Sequence, residues 1–211
     1  MKKEEKDSLA EYWQDSGLIK DKRLIGAFKS IPREKFIRDE NLQESYGDYP
    51  LPIGFGQTIS QPTTVLIMIN ALELKKSDKV LEVGAGSGYC AAIMSKLCRK
   101  AVTTEIIPEL VEFAKGNIKK CGIKNVEIIE WDGSKGYEKE APYDKIMVTA
   151  ACPRIPEPLI EQLKESGIIL APVGSFFGQE MIKLVKEKGK IVTQNLGSFV
   201  FVPLKGEYGY Q

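Results

Sequence analysis

The chain has 211 residues, 43% of them apolar and 28% charged, with a formal net charge of +1. It can bury one substantial core, and its charges are too evenly mixed for the basic field that drives binding to phosphate backbones, so one α/β-sized domain with no nucleic-acid partner is expected. It contains no histidine, which excludes an imidazole base, a Ser-His-Asp triad and His-ligated zinc.

The first residues, MKKEEKDSLAEYW, carry charge without an apolar signal core. No stretch approaches the roughly 18 apolar residues of a membrane span, so a cytoplasmic protein with no membrane association, acting as a monomer, is expected. Residues 8–15 and 21–30 have helical spacing and are separated by Gly17; Pro32 stops the second helix. Residues 43–61 follow as an aperiodic stretch rich in Gly, Pro and Tyr, longer than most structureless loops and therefore a candidate functional segment. Pro62 suits the first position of a buried helix running to about Leu74, capped by Ser60 or Gln61.

From there strands alternate with helices. Strands are predicted at 79–84, 101–105, 125–130, 143–150 and 168–173. Helices are predicted at 89–98, at 108–121 with Gly122 closing it, and at 157–166 closed by Gly167. Residues 180–204 read as two or three strands joined by a Lys-Gly-Lys turn. The fold class expected is α/β: a doubly wound, mainly parallel sheet with antiparallel C-terminal strands and an N-terminal helical lead-in. The single domain would divide into an N-terminal segment 1–61, a βα core 62–174 and terminal strands 175–211. The four cysteines, Cys90, Cys98, Cys121 and Cys152, form no C-x-x-C pair and read as packed thiols, with no metal site.

The strongest chemical motif is LEVGAGSGY, residues 81–89. Gly84, Gly86 and Gly88, with Ser87 among them, directly follow a strand and open a helix, where backbone N–H groups can meet a cofactor. Tyr89 takes the place of the third glycine of a dinucleotide fingerprint. Glu82, two residues before the first glycine, would repel a pyrophosphate but suits a ligand with an ammonium group, such as S-adenosyl-L-methionine. Glu105, at the end of the next strand, can accept from two ribose hydroxyls. Asp132, in the WDG that ends the third strand, is placed to receive the adenine amino group, with Gly133 beside it. Singly, these carboxylates also read as a solvated strand end, a surface charge and a turn former; together they face the crevice at the carboxyl ends of an open sheet.

The acceptor is a separate question. The fourth strand ends in VTAACPRIP, which lacks the Asn-Pro-Pro-aromatic element expected for amino methylation, and Cys152-Pro153 reverses the order of a cytosine-C5 nucleophile. With no histidine and no evident base, an acceptor already ionised is easiest to methylate. A carboxylate, with a reference pKa near 4, needs no proton removed. A methyltransferase for a small molecule or RNA, and a non-catalytic cofactor-binding protein, are the competing readings.

YPLPIGFGQTISQP, VLEVGAGSGY, APYDKIMVTAA, IPEPLIEQL and a terminal FVPL occur in this order, and the chain resembles the protein-L-isoaspartate O-methyltransferase family from about Ser30 to Gly209. GQTISQP discriminates best, since the glycine motif is common to class I methyltransferases. The resemblance implies the class I, Rossmann-like fold. It also implies methyl transfer from S-adenosyl-L-methionine, leaving S-adenosyl-L-homocysteine, to the free α-carboxylate of L-isoaspartyl residues in damaged proteins and peptides. The ester then collapses to a succinimide. The resemblance places the active-site serine on Ser60, whose hydroxyl would hold the substrate carboxylate and could also cap the following helix. Thr58 and Ile59 belong to the same loop, and Val202 falls in the segment that lies against the peptide, although it equally suits an edge strand. Trp131 stands where the family carries glycine, and Cys152 where it carries a smaller residue.

Overall fold

A computed structural model describes residues 2–210. Two helices, α1 (Lys2–Asp15) and α2 (Lys22–Ser30), lead through short 3-10 turns to a two-stranded hairpin, β1 (Leu51–Gly54) and β2 (Gln57–Ile59). Then follow α3 (Pro62–Ala71), β3 (Lys79–Val83), α4 (Tyr89–Met94), β4 (Lys100–Glu105), α5 (Pro108–Lys120) and β5 (Val126–Glu130). The chain continues through β6 (Tyr143–Val148), α6 (Glu157–Glu161), β7 (Leu163–Ser175), β8 (Gly178–Glu187) and β9 (Lys190–Phe199). The main sheet has the order β5-β4-β3-β6-β7-β8-β9. Strands β3 to β7 pair in parallel, whereas β8 and β9 add antiparallel. The chain leaves β3 toward β4 on one side and returns to β6 on the other, so the topological switch point lies beside β3.

Successive strand residues divide between two cores, as the twofold period of a strand requires. Val80, Ala101, Met147 and Leu170 join the core that also holds Trp13, Phe28, Leu66 and Leu110 from the helices. Their neighbours Leu81, Val102, Ile146 and Ile169 join a second core covered by Leu159 of α6 and by Leu204. Strands buried on both faces explain the continuous apolar runs of the sequence. Helix α5 buries Leu110, Val111, Ala114, Asn117 and Ile118, one stripe of a 3.6-residue period, and Gly122 follows its last turn at φ +64°.

Four elements differ from expectation. The stretch 43–61 is not aperiodic throughout: Leu51, Ile53 and Ile59 are buried while Pro52, Gly54 and Thr58 are exposed, and a two-residue turn at Phe55 and Gly56, both at positive φ, closes the hairpin. Helix α3 ends at Ala71 and makes no side-chain cap bond through Gln61. Its cap comes from Asp48, whose carboxylate accepts from Thr63 N at 2.9 Å and from the Thr63 hydroxyl at 2.6 Å. Helix α4 stops at Met94, where Lys96 and Leu97 tighten to i−3 hydrogen bonds. Helix α6 covers only Glu157–Glu161, because Leu163 already pairs with Tyr143 of β6 and packs in the second core; Ser166, at φ +61°, lies in the bulge before Ile168 rejoins the ladder. The predicted C-terminal hairpin turns at Lys188 and Gly189.

Candidate active site

The glycine turn closes where β3, β4 and β6 end. Gly84 adopts φ +97°, and a Cβ there would stand 2.6 Å from the Thr149 hydroxyl oxygen. That hydroxyl donates to Val83 O at 2.9 Å and Gly84 O at 2.6 Å, so the end of β6 is stitched to the turn through space only glycine leaves open. Gly88, also left-handed, is the N-cap of α4 and lies against Ala114 of α5.

Two carboxylates flank the turn and are treated oppositely. Glu105 Oε2 accepts from Gly86 N at 2.8 Å, and Oε1 from Ile106 N at 2.9 Å and Ile107 N at 3.1 Å, so this side chain latches the turn to the end of β4. Glu82 is fully buried on β3, and neither of its carboxylate oxygens has a hydrogen-bond partner. Burial pushes its pKa up to about 8; the Thr103 and Cys90 side chains beside it offset only part of that, and the Glu105 charge adds to it. An unpartnered buried carboxyl in a cavity wall is a site waiting for a donor or a cation.

Both line one cavity, together with Gly84, Gly86, Ser87, Gly133 and, across from them, Thr58, Ile59, Ser60 and Val202. Gly88, at the helix start, is not itself a lining residue, although Ser87 and Tyr89 on either side of it are. The β1–β2 hairpin therefore delivers GQTIS directly to the glycine turn. Because Asp48 caps α3, the Ser60 hydroxyl is not used as the cap. Val202 is held in place by its neighbours: Ala151 N donates to Val202 O at 2.8 Å and Leu204 N to Ala151 O at 2.7 Å, tying this segment to the end of β6 rather than to an edge strand.

Asp132 departs from the arrangement expected of it. Its Oδ1 accepts from Ser134 N at 3.0 Å and the Ser134 hydroxyl at 2.6 Å, and its Oδ2 from Glu207 N at 2.9 Å. The carboxylate thus folds the C-terminal segment onto the turn, and Asp132 is not among the cavity's lining residues, while its neighbours Trp131 and Gly133 are. Trp131 is 43% exposed and meets Tyr137 edge-on at 5.9 Å. Thr104, Ile107, Thr149 and Lys205 also line the cavity and were not predicted; Thr149, in VTAA, carried the one available signal, a hydroxyl at a strand end facing a glycine. Among the described residues no group of side chains could hold a metal ion, and no helix is long and apolar enough to cross a membrane.

The family model described as protein-L-isoaspartate(D-aspartate) O-methyltransferase matches residues 4–209. A curated protein-L-isoaspartate O-methyltransferase from Methanoculleus marisnigri is 44% identical, covering 98% of this chain and 94% of its own. One from Archaeoglobus fulgidus is 48% identical, covering 99% and 96%. A solved Plasmodium falciparum structure described as this enzyme, in complex with S-adenosyl-L-homocysteine, superposes with a TM-score of 0.81 at 29% identity, covering 94% of this chain and 97% of that one. A further protein-L-isoaspartate O-methyltransferase structure gives a TM-score of 0.88 at 30% identity over 97% of this chain and 67% of the other.

Proposed function

Since the chain belongs to the protein-L-isoaspartate(D-aspartate) O-methyltransferase family and is a methyltransferase using S-adenosyl-L-methionine, we propose how its own residues perform isoaspartyl repair. The observation that carries the reading is a single cavity walled by the fully buried, unpartnered Glu82 on one side and by the Ser60 loop on the other.

The residues fit the cofactor. Glu82 would take its ammonium group, which satisfies both the orphaned oxygens and the raised pKa. Glu105, with three amide donors already placed, keeps one acceptor site, on Oε2, for a ribose hydroxyl. In the glycine turn Gly86 N is held by Glu105 and Gly88 N by Ala85 O, which leaves Ser87 beside the cofactor, and Gly133 and Trp131 border the adenine end on a turn that Asp132 fixes. When bound, S-adenosyl-L-methionine supplies the electrophilic methyl group.

The loop that meets the acceptor carries no charged side chain, and Lys205 is the one cationic side chain among the lining residues. Ser60 donates its hydroxyl to the free α-carboxylate of the isoaspartyl residue and sets its direction, with Thr58 and Ile59 shaping the same loop. Val202 lies against the peptide. No base is needed, since the carboxylate is ionised at neutral pH, so the loop's work is orientation and exclusion of water. The product ester loses methanol when the adjacent peptide nitrogen closes the succinimide. The 1–61, 62–174 and 175–211 segments act as one domain, a cytoplasmic monomer working on damaged polypeptides and not on nucleic acid.

Radiolabelled S-adenosyl-L-methionine with paired peptides containing isoaspartate or ordinary aspartate tests the reading. Base-labile methyl incorporation into the isoaspartyl peptide alone is the expected result, and equal incorporation into both would overturn it. Sedimentation at micromolar concentration checks the monomer.

A further inference from the structure

Arg33 is fully buried beneath the Ser60 loop, yet no carboxylate pairs with it among the described residues. Its guanidinium donates only to backbone carbonyls: Nη1 to Ser45 O at 2.6 Å, and Nη2 to Ser60 O at 3.0 Å and Tyr49 O at 3.4 Å. Nε has no partner, and the Tyr89 ring lies 5.8 Å from Cζ. Asp48, whose charge acts on the guanidinium, spends its carboxylate on Thr63. Burial lowers the Arg33 pKa from its ordinary value, but a guanidinium remains charged in a protein. A permanently cationic side chain has thus been taken out of water without an ion-pair partner, compensated by three carbonyl dipoles, the Tyr89 ring and the charge of Asp48, so its charge is not neutralised by direct contact and can still act on an arriving anion.

The loop above it has the complementary deficiency. Residues 49–63 carry no charged side chain, although this is the segment proposed to receive a carboxylate. The fork of Arg33 grips both ends of that segment, at Ser45 and Tyr49 before the hairpin and at Ser60 after it, and Ser60 is itself a residue of the cavity wall.

We propose that Arg33 is a positioning residue for the acceptor: it clamps the 45–60 loop in its receptive shape, and from behind Ser60 its buried positive charge offsets the charge of the substrate carboxylate. The inference rests on the assignment of Ser60 to carboxylate binding. It explains how a loop without charged side chains can favour an anion over a neutral analogue. A cation in direct contact would hold the carboxylate as an ion pair and blunt its nucleophilicity; a cation one residue removed attracts it while leaving an oxygen free to attack.

Arg33→Met and Arg33→Lys, compared with the unaltered enzyme and with Ser60→Ala, test it. For Arg33→Met, kcat/KM on isoaspartyl peptide should fall about 100-fold, mainly through KM, while the S-adenosyl-L-homocysteine Kd stays within about threefold. The discriminating readout is competitive inhibition by two unreactive peptides, one bearing the carboxylate and one a carboxamide in its place: Arg33→Met should weaken the carboxylate's binding at least about tenfold more than the carboxamide's, the smaller loss being that of the clamp alone. Arg33→Lys should keep the carboxylate preference while losing loop order, seen as faster amide exchange over residues 45–60. Equal weakening of both inhibitors, or an unchanged kcat/KM, overturns the proposal. Should Arg33→Met not fold, Arg33→Lys decides, since loss of the carboxylate preference in a variant that keeps the charge is equally fatal. A Ser60→Ala enzyme with full activity would instead remove the premise about Ser60.

Discussion

The two halves of the cavity are built on opposite principles. The cofactor half sits on the ends of parallel strands, where Thr149 and Glu105 lock the glycine turn through five hydrogen bonds, and it keeps one buried carboxyl unsatisfied. The acceptor half is a small hairpin with no charged side chain, held from behind by a buried cation. The first is anionic at its surface, the second uncharged in its side chains with a cation one residue removed. The contrast teaches where specificity would reside under the proposed function: the first half could serve any methyltransferase of this fold, and the hairpin is the part assigned to the carboxylate.

Breaking the cofactor half should have the largest effect. Gly84→Val places a branched side chain at φ +97° against the Thr149 hydroxyl, so cofactor binding measured by calorimetry should disappear and stability should fall by about 3 kcal/mol. Breaking the acceptor half should spare the cofactor: Ser60→Ala should lower kcat/KM about 100-fold with an unchanged S-adenosyl-L-homocysteine Kd. Equal losses in both would erase the distinction between the halves.

Glu82→Gln sharpens the comparison in a third way. Its carboxyl is raised from 4.5 to about 8 in the folded state, so below pH 4.5 both states carry the proton, and between 4.5 and 8 only the unfolded chain has lost it. Stability of the unliganded protein therefore falls as pH rises through this window and levels off above it. The glutamine variant should flatten that slope and raise Tm at pH 8, while weakening cofactor binding about tenfold. In the unaltered protein, cofactor binding near pH 7 should release a proton, read from calorimetry in buffers of different ionisation enthalpy. A Tm lowered by the substitution would show that Glu82 is already satisfied without ligand. The smallest expected effect is that of Asp48→Ala, which removes the α3 cap and should cost about 1–2 kcal/mol in denaturant unfolding, with kcat/KM following only as far as the hairpin shifts.

Much of this was legible in the sequence, for physical reasons. Strands buried on both faces leave unbroken apolar runs, and a strand followed at once by three spaced glycines has few alternatives, so β3, its turn and Glu82 were readable. What escaped depended on contacts distant in sequence. The alternation of Leu51, Ile53 and Ile59 was masked by Pro52 and the GFG turn. Helix α6 has the spacing of a longer helix, but Leu163 gains more from the β6 ladder and the second core. Asp48 caps a helix 15 residues away, and Asp132 answers to Glu207, partners no local pattern announces. The burial of Arg33 could not be inferred from PREKF, where an arginine among charged neighbours reads as surface.

The placement of the two tryptophans has an optical consequence. Trp13 is fully buried between the N-terminal helices and donates to the Thr63 hydroxyl at 2.7 Å, whereas Trp131 stands half in solvent at the rim of the cofactor cavity. One emitter therefore reports on the packing that supports the hairpin, and the other on occupancy of the cavity. With Trp131→Phe the emission should become indifferent to cofactor and still follow unfolding; with Trp13→Phe it should track cofactor titration almost alone. The molecule carries its own pair of dyes, one for each half of the cavity.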